Sequence, residues 1–259
     1  MAKTLVVLLC LFIATSSLSY AADVPVLCIG WGTESFSYTT KQIRRRLFAG
    51  SNPNRYTAEL VQQCLAAGAN PNVQVYYGRT PLHEAALPDN AEAKAVKLLL
   101  EAGASVKARD EFESTPLHMA AIGGNADIIR LLLTAGSDPK ARADSGGTPL
   151  HRAASNGNAE VIRLLLAVGA EVNVREELLG NTPLHGAVKS HSLRSVVVLL
   201  EAGANPNALN TGGERPLHLL QGKSFLYPDI ERALVNAGAD PNFVSGITCL
   251  TQECRAKLR

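Results

Sequence analysis

Thr115-Pro116-Leu117-His118-Met119-Ala120-Ala121, followed by Ile122-Gly123-Gly124-Asn125, then Ala126-Asp127-Ile128-Ile129-Arg130-Leu131-Leu132-Leu133, and closed by Thr134-Ala135-Gly136, spells out one structural unit. Thr115 is an N-cap and Pro116 fits the first helical position, where a missing N–H costs nothing. The two adjacent alanines allow a neighbouring helix to approach closely, and Gly123-Gly124 permits a chain reversal. The Ile-Ile-Leu-Leu rows give a second helix its buried face. Two short antiparallel helices and a stop are expected.

The unit recurs outward in both directions. Pro-Leu-His preceded by Thr or Arg stands at Thr80 to His83, Thr115 to His118, Thr148 to His151, Thr182 to His185 and Arg215 to His218, with successive copies 35, 33, 34 and 33 residues apart. A glycine follows each second helix, at Gly68, Gly103, Gly136, Gly169, Gly203 and Gly238, again 33 to 35 residues apart. Glycine just past a helix takes the left-handed conformation and turns the chain outward. Extended segments such as Ala69-Asn70-Pro71-Asn72 and Ala204-Asn205-Pro206-Asn207 then lead into protruding turns. Self-similarity at a fixed period means that each copy buries its apolar face against its neighbours.

These residues resemble the ankyrin repeat, whose motif carries T-P-L-H-x-A-A on the first helix and L-L-L-x-x-G-A-x-x-N at the end of the second. The resemblance covers Thr57 to Asn242 and counts about six repeats. It implies an all-α solenoid of stacked helix-turn-helix units, with hairpin fingers at right angles and a groove lined by fingers and first helices. The repeat domain is set at residues 40–244. The first copy lacks the tetrapeptide, so its opening helix is expected within Thr40 to Phe48 and its second within Tyr56 to Ala67. In the last copy Arg215 replaces Thr, Leu220-Gln221 replaces the paired alanines, and Lys223 to Pro228 is inserted; a modified end repeat presents a surface that does not invite further stacking. Residues 22–39, with Trp31, are expected to pack on the first repeat, and residues 245–259 to cap the other end.

The first 21 residues hold one base, Lys3, no acid, the apolar run Leu5 to Ile13, and small residues up to Ser19-Tyr20-Ala21. This pattern reads as a secretory signal peptide cleaved after Ala21. It predicts a bacterial protein secreted across the inner membrane, periplasmic or extracellular, with no stable membrane insertion after cleavage. The whole chain carries 25 Lys plus Arg against 23 Asp plus Glu, a balance that disfavours nucleic acid as the partner. Four cysteines survive cleavage, Cys28, Cys64, Cys249 and Cys254, and crowd the two ends. Several repeats separate those ends, whereas bridged Cα atoms lie within about 7 Å. The preferred pairs are therefore Cys28 with Cys64 and Cys249 with Cys254.

Five of the six histidines belong to the repeated tetrapeptide. Equivalent positions in stacked helices stand roughly 10 Å apart, too far to converge on one metal ion, so a ladder of imidazoles bonded to backbone is expected and neither metal nor other cofactor is predicted. The sixth, His191, is expected to be exposed in an inter-helix loop. No Gly-x-Ser-x-Gly, His-Glu-x-x-His or phosphate-binding glycine loop occurs, and the expected function is non-enzymatic.

Binding is assigned to positions free to differ between repeats. Apolar residues at finger tips, Tyr76, Tyr77, Phe112, Leu178 and Leu179, are unexpected on a protruding turn. The groove side of the first helices adds Leu87, Met119, Ile122 and Arg152. The leading expectation is a monomeric, exported scaffold that binds a partner protein, in an immunity, enzyme-protecting or host-binding role. The alternative is a structural or self-associating solenoid with no separate partner.

Overall fold

A computed structural model describes residues 56–240 apart from 67, 75, 89–91 and 221–225. The signal segment 1–21, the extension 22–39, the opening helix placed within 40–48 and the closing segment 245–259 therefore lie outside the described residues. Among the described residues the regular structure is all helical: α1 (Ala58–Ala66), α2 (Pro81–Ala85), α3 (Ala93–Glu101), α4 (Pro116–Gly123), α5 (Ala126–Thr134), α6 (Pro149–Ser155), α7 (Ala159–Ala167), α8 (Pro183–Lys189), α9 (Leu193–Glu201) and α10 (Pro228–Asn236), with 3₁₀ turns at Tyr76–Gly78 and Pro216–Leu220.

The first helices stack in one column, α2 on α4, α4 on α6, α6 on α8, and α8 on the Pro216–Leu220 turn. The second helices form a parallel column from α1 through α3, α5, α7 and α9 to α10. Between the columns runs one continuous core whose largest fully buried side chains are Leu82, Leu99, Leu117, Ile128, Ile129, Leu132, Leu150, Ile162, Leu165, Leu184, Leu199 and Leu220. These are the Leu of the first four tetrapeptides, aliphatic residues of α3, α5, α7 and α9, and Leu220 at the end of the last repeat's 3₁₀ turn. Each repeat buries its apolar stripes on both neighbours, so no repeat has a core of its own.

Two second helices start on side-chain caps, Asn125 accepting from the N–H groups of Asp127 and Ile128, and Ser192 from that of Ser195, whereas Asn158 before α7 donates to the carbonyls of Ala121 and Ile122 instead. All six terminal glycines have positive φ, from +82° to +91°. Four fingers close on themselves through backbone bonds, Asp110 N–H to Ser114 O at 3.1 Å, Ala143 N–H to Gly147 O at 2.9 Å, Glu176 N–H to Asn181 O at 3.0 Å and Asn210 N–H to Glu214 O at 2.9 Å. The last repeat is shortened, its first helix reduced to the 3₁₀ turn. Arg215, standing in the cap position, reaches Asp240 and Asn207, each at 3.3 Å. No described helix is long and apolar enough to cross a membrane.

Candidate protein-binding surface

The junction histidines occupy the same place in four repeats. In each, Nδ1 accepts the backbone N–H of the Thr three residues earlier, at 3.1, 3.1, 3.2 and 3.1 Å for His83, His118, His151 and His185. Nε2–H donates to a carbonyl of the following repeat, that of Ser114, Gly147, Asn181 or Glu214, at 2.9, 3.2, 3.1 and 3.2 Å. Both ring nitrogens are thus committed, which fixes the neutral Nε2–H tautomer. Burial pushes all four imidazoles below the usual histidine pKa, His118 to about 4, although the carbonyl each faces works the other way. Among the described residues no group of three His, Cys, Asp or Glu could hold a metal ion. The column holds repeats together.

The fingers form a second column, at the protruding edge. Each tip is tied to the one before it: Glu111 N–H to Tyr77 O at 2.9 Å, Asp144 N–H to Phe112 O at 3.0 Å, Glu177 N–H to Ser145 O at 2.8 Å and Thr211 N–H to Leu179 O at 2.9 Å. Side chains add cross-ties: Arg109 donates to Arg142 O at 2.8 Å and Arg142 to Arg175 O at 2.9 Å. The tips therefore share a continuous support. On it Tyr77 is 39 % exposed, Phe112 51 %, Leu178 72 % and Leu179 50 %. Tyr77 and Phe112 also meet, with ring centroids 5.8 Å apart, and Arg79 lies over the Tyr77 ring at 5.8 Å. Tyr76 opens the neighbouring 3₁₀ turn.

One tip position escaped the sequence reading. Gly78, Glu113, Gly146, Gly180 and Gly213 all have positive φ, and Glu113, at +55°, alone in that column carries a side chain. Its signal was present as four glycines at the repeat period, obscured because the second copy breaks the pattern.

The predicted groove residues divide. Met119 is only 5 % exposed and packs in the core, so it offers a partner almost nothing; the expectation that it faces outward is corrected by the close stacking of α4 between α2 and α6. Leu87 is half-buried against the core and Ile122 is half-buried. Glu84, which precedes the same groove, is buried and paired with Arg79 at 3.3 Å. Arg152 is half-buried and opens into a groove of about 690 Å³ between α6, α8 and the fingers bearing Ser145, Leu179 and Thr211. Lys189 and His191 line it too. His191 is not the exposed loop residue expected: it is half-buried, at φ +56°, stacked on Tyr227 with centroids 3.9 Å apart and planes 4° from parallel. Tyr227 comes from the insertion in the last repeat, which lays this ring across the loop.

Cys64 is fully buried on α1. Cys28, Cys249 and Cys254 lie outside the described residues.

The family model described as ankyrin repeats (3 copies) matches twice, over residues 48–143 and 135–210, together more than half of the chain. The chain belongs to the ankyrin-repeat family. Ankyrin repeats are generally protein–protein interaction modules and typically non-enzymatic scaffolds. No curated protein matches this ankyrin-repeat chain. In this ankyrin stack the histidine junctions join one repeat to the next, and the finger edge exposes Phe112, Leu178 and Leu179 beside the groove.

Proposed function

We propose that this protein is an exported, monomeric scaffold that binds a partner protein through its finger tips and concave groove. The reading rests on one observation above the others: Tyr77, Phe112, Leu178 and Leu179 stand exposed on turns that are tied to one another by backbone bonds. Large apolar side chains on a protruding edge are costly to solvate and make strong anchors when a partner covers them. A support held by cross-ties orders little further on docking, so more of the contact energy appears as affinity. Contact is assigned to Tyr76, Tyr77, Phe112, Leu178 and Leu179 at the tips, and to Leu87, Ile122 and Arg152 toward the groove.

The pattern of residues 1–21 supports export, and the compartment assigned to the mature chain on this reading is the periplasm or the outside of the cell. Disulfides Cys28–Cys64 and Cys249–Cys254 belong to the same reading, and mass mapping of the unreduced mature protein tests them; four free thiols would contradict the compartment as well. The partner reading is tested by retention of exported proteins on the immobilised chain. Tyr77→Ser with Phe112→Ser, or Leu178→Ser with Leu179→Ser, is expected to abolish retention of a protein that the unaltered chain holds, while changing stability by less than about 0.5 kcal/mol. Unchanged retention by both double variants would remove the tips from the binding surface.

A further inference from the structure

The geometry points to a more specific occupant of the groove: an acidic side chain of a polypeptide partner, seated against Arg152. This rests on the reading that the groove receives a partner protein, and adds the chemistry by which it does so.

Arg152 is the anomaly among the described arginines. Arg79, Arg109, Arg130, Arg142, Arg163, Arg215 and Arg232 all make ion pairs. Arg175 donates to the carbonyl of Gly180, and Arg194 is exposed to water. Arg152 makes no ion pair with any described residue, and its Nε is buried without a hydrogen-bond partner. A buried charged donor without an acceptor is costly, by roughly 1–3 kcal/mol or more, and is maintained to advantage only where an acceptor arrives. Two further nitrogens line the same groove. Lys189, the last residue of α8, is exposed and makes no ion pair with any described residue, and His191 Nδ1 is buried without a partner.

The opposite wall has the other sign. Glu176 and Glu214 face the groove from the fingers, but Asn181 and Asn210 occupy them, donating through Nδ2 at 2.9 and 3.0 Å. No ion pair crosses the space. A small free anion would meet those two carboxylates as well as Arg152. A polypeptide can turn a carboxylate to the helix wall and a neutral or basic residue to the fingers. Leu179 lines this groove and is also an exposed tip, so an extended occupant reaching Arg152 passes over an apolar anchor on its way. Complementary charge of this kind sets register and rejects wrong partners.

The test is selection from a random peptide library displayed with the peptide C-termini fused, so that only side chains supply carboxylates, against the immobilised mature chain. Enriched peptides are expected to share an Asp or Glu. By fluorescence polarisation, a synthetic, C-amidated copy should bind Arg152→Gln at least tenfold more weakly and Lys189→Gln a few-fold more weakly, with neither melting temperature lowered. Arg152→Glu should regain binding to the peptide whose acid is replaced by Lys. Enriched peptides without a shared acid, or bound equally by Arg152→Gln, overturn the inference while leaving the partner reading standing. No enrichment at all overturns the groove as a peptide site, and the partner reading then stands or falls on the tip variants alone. If Arg152→Gln does not fold, Lys189→Gln decides, and an unchanged affinity counts against the proposal.

Discussion

The histidine junctions, formed alike in four repeats, and the finger tips, tied by four backbone bonds, obey opposite rules. At the junctions residue type is held constant and every polar atom of His83, His118, His151 and His185 is matched by backbone. At the tips the backbone bond is held constant while the side chain over it runs from Tyr77 to Phe112 to Ser145 to Leu179. Constancy sits where a change would leave a buried donor unmatched. Difference is confined to where only a carbonyl oxygen is used, which every residue possesses.

Acid should separate the two columns most strongly. The junction imidazoles have lowered pKa values, so below the ordinary histidine value near 6.5 the unfolded chain binds more protons than the folded one. Their contribution is fully present above that value and is lost as pH falls toward about 4, the value for His118. His118 alone should account for on the order of 3 kcal/mol across that window. Urea unfolding between pH 7 and 5, where most carboxylates remain charged, should show falling stability with a shallower slope in His118→Gln; a flat profile would refute the neutral ladder.

Next in size is His118→Ala at pH 7. It strands the Thr115 N–H and the Gly147 carbonyl in the interior and should cost roughly 3 kcal/mol by urea midpoint. A loss below about 1 kcal/mol would show that water replaces the imidazole. Smaller again are two substitutions in the tip column. Gly146 has φ +70°, and a Cβ there would lie 2.8 Å from the backbone nitrogen of Glu177, so Gly146→Ala should cost about 2 kcal/mol. Glu113→Gly, relieving φ +55° at the equivalent place, should stabilise by about 0.5 kcal/mol after the loss of its exposed pair with Arg109. Equal responses at the two sites would mean that the column is not equivalent.

The stack was legible in the sequence because its determinants are local and copied: Thr-Pro starts a helix and Gly ends one whatever surrounds them, and repetition multiplied each weak signal. The ladder of histidines was legible for the same reason. What escaped depended on contacts between copies. Met119 looked like a groove residue from its position after His118, but how tightly α4 is pressed between α2 and α6 is a property of three repeats together. His191 looked exposed until the last repeat's insertion carried Tyr227 onto it, a contact 36 residues away in sequence. The missing acceptor at Arg152 could not be read from residue types at all, since acids are plentiful in the neighbouring finger and only geometry shows that none reaches it.

The direction of the junction bonds carries a last consequence. Each histidine gives its Nε2–H forward, to the repeat made after it, and Asn72, Asn173 and Asn207 likewise donate forward, to the carbonyls of Gly103, Gly203 and Gly238. At the junctions the histidine donors therefore all face the later repeat, whereas the finger tips bond in the opposite sense, as in Glu111 N–H to Tyr77 O. On the ribosome a repeat reaches its finished state only when its successor has emerged, so maturation lags synthesis by about one unit. At the histidine junctions shortening from the two ends is correspondingly unequal: loss of an earlier repeat frees a carbonyl, whereas a cut after residue 180 removes the acceptor that His151 requires in the interior.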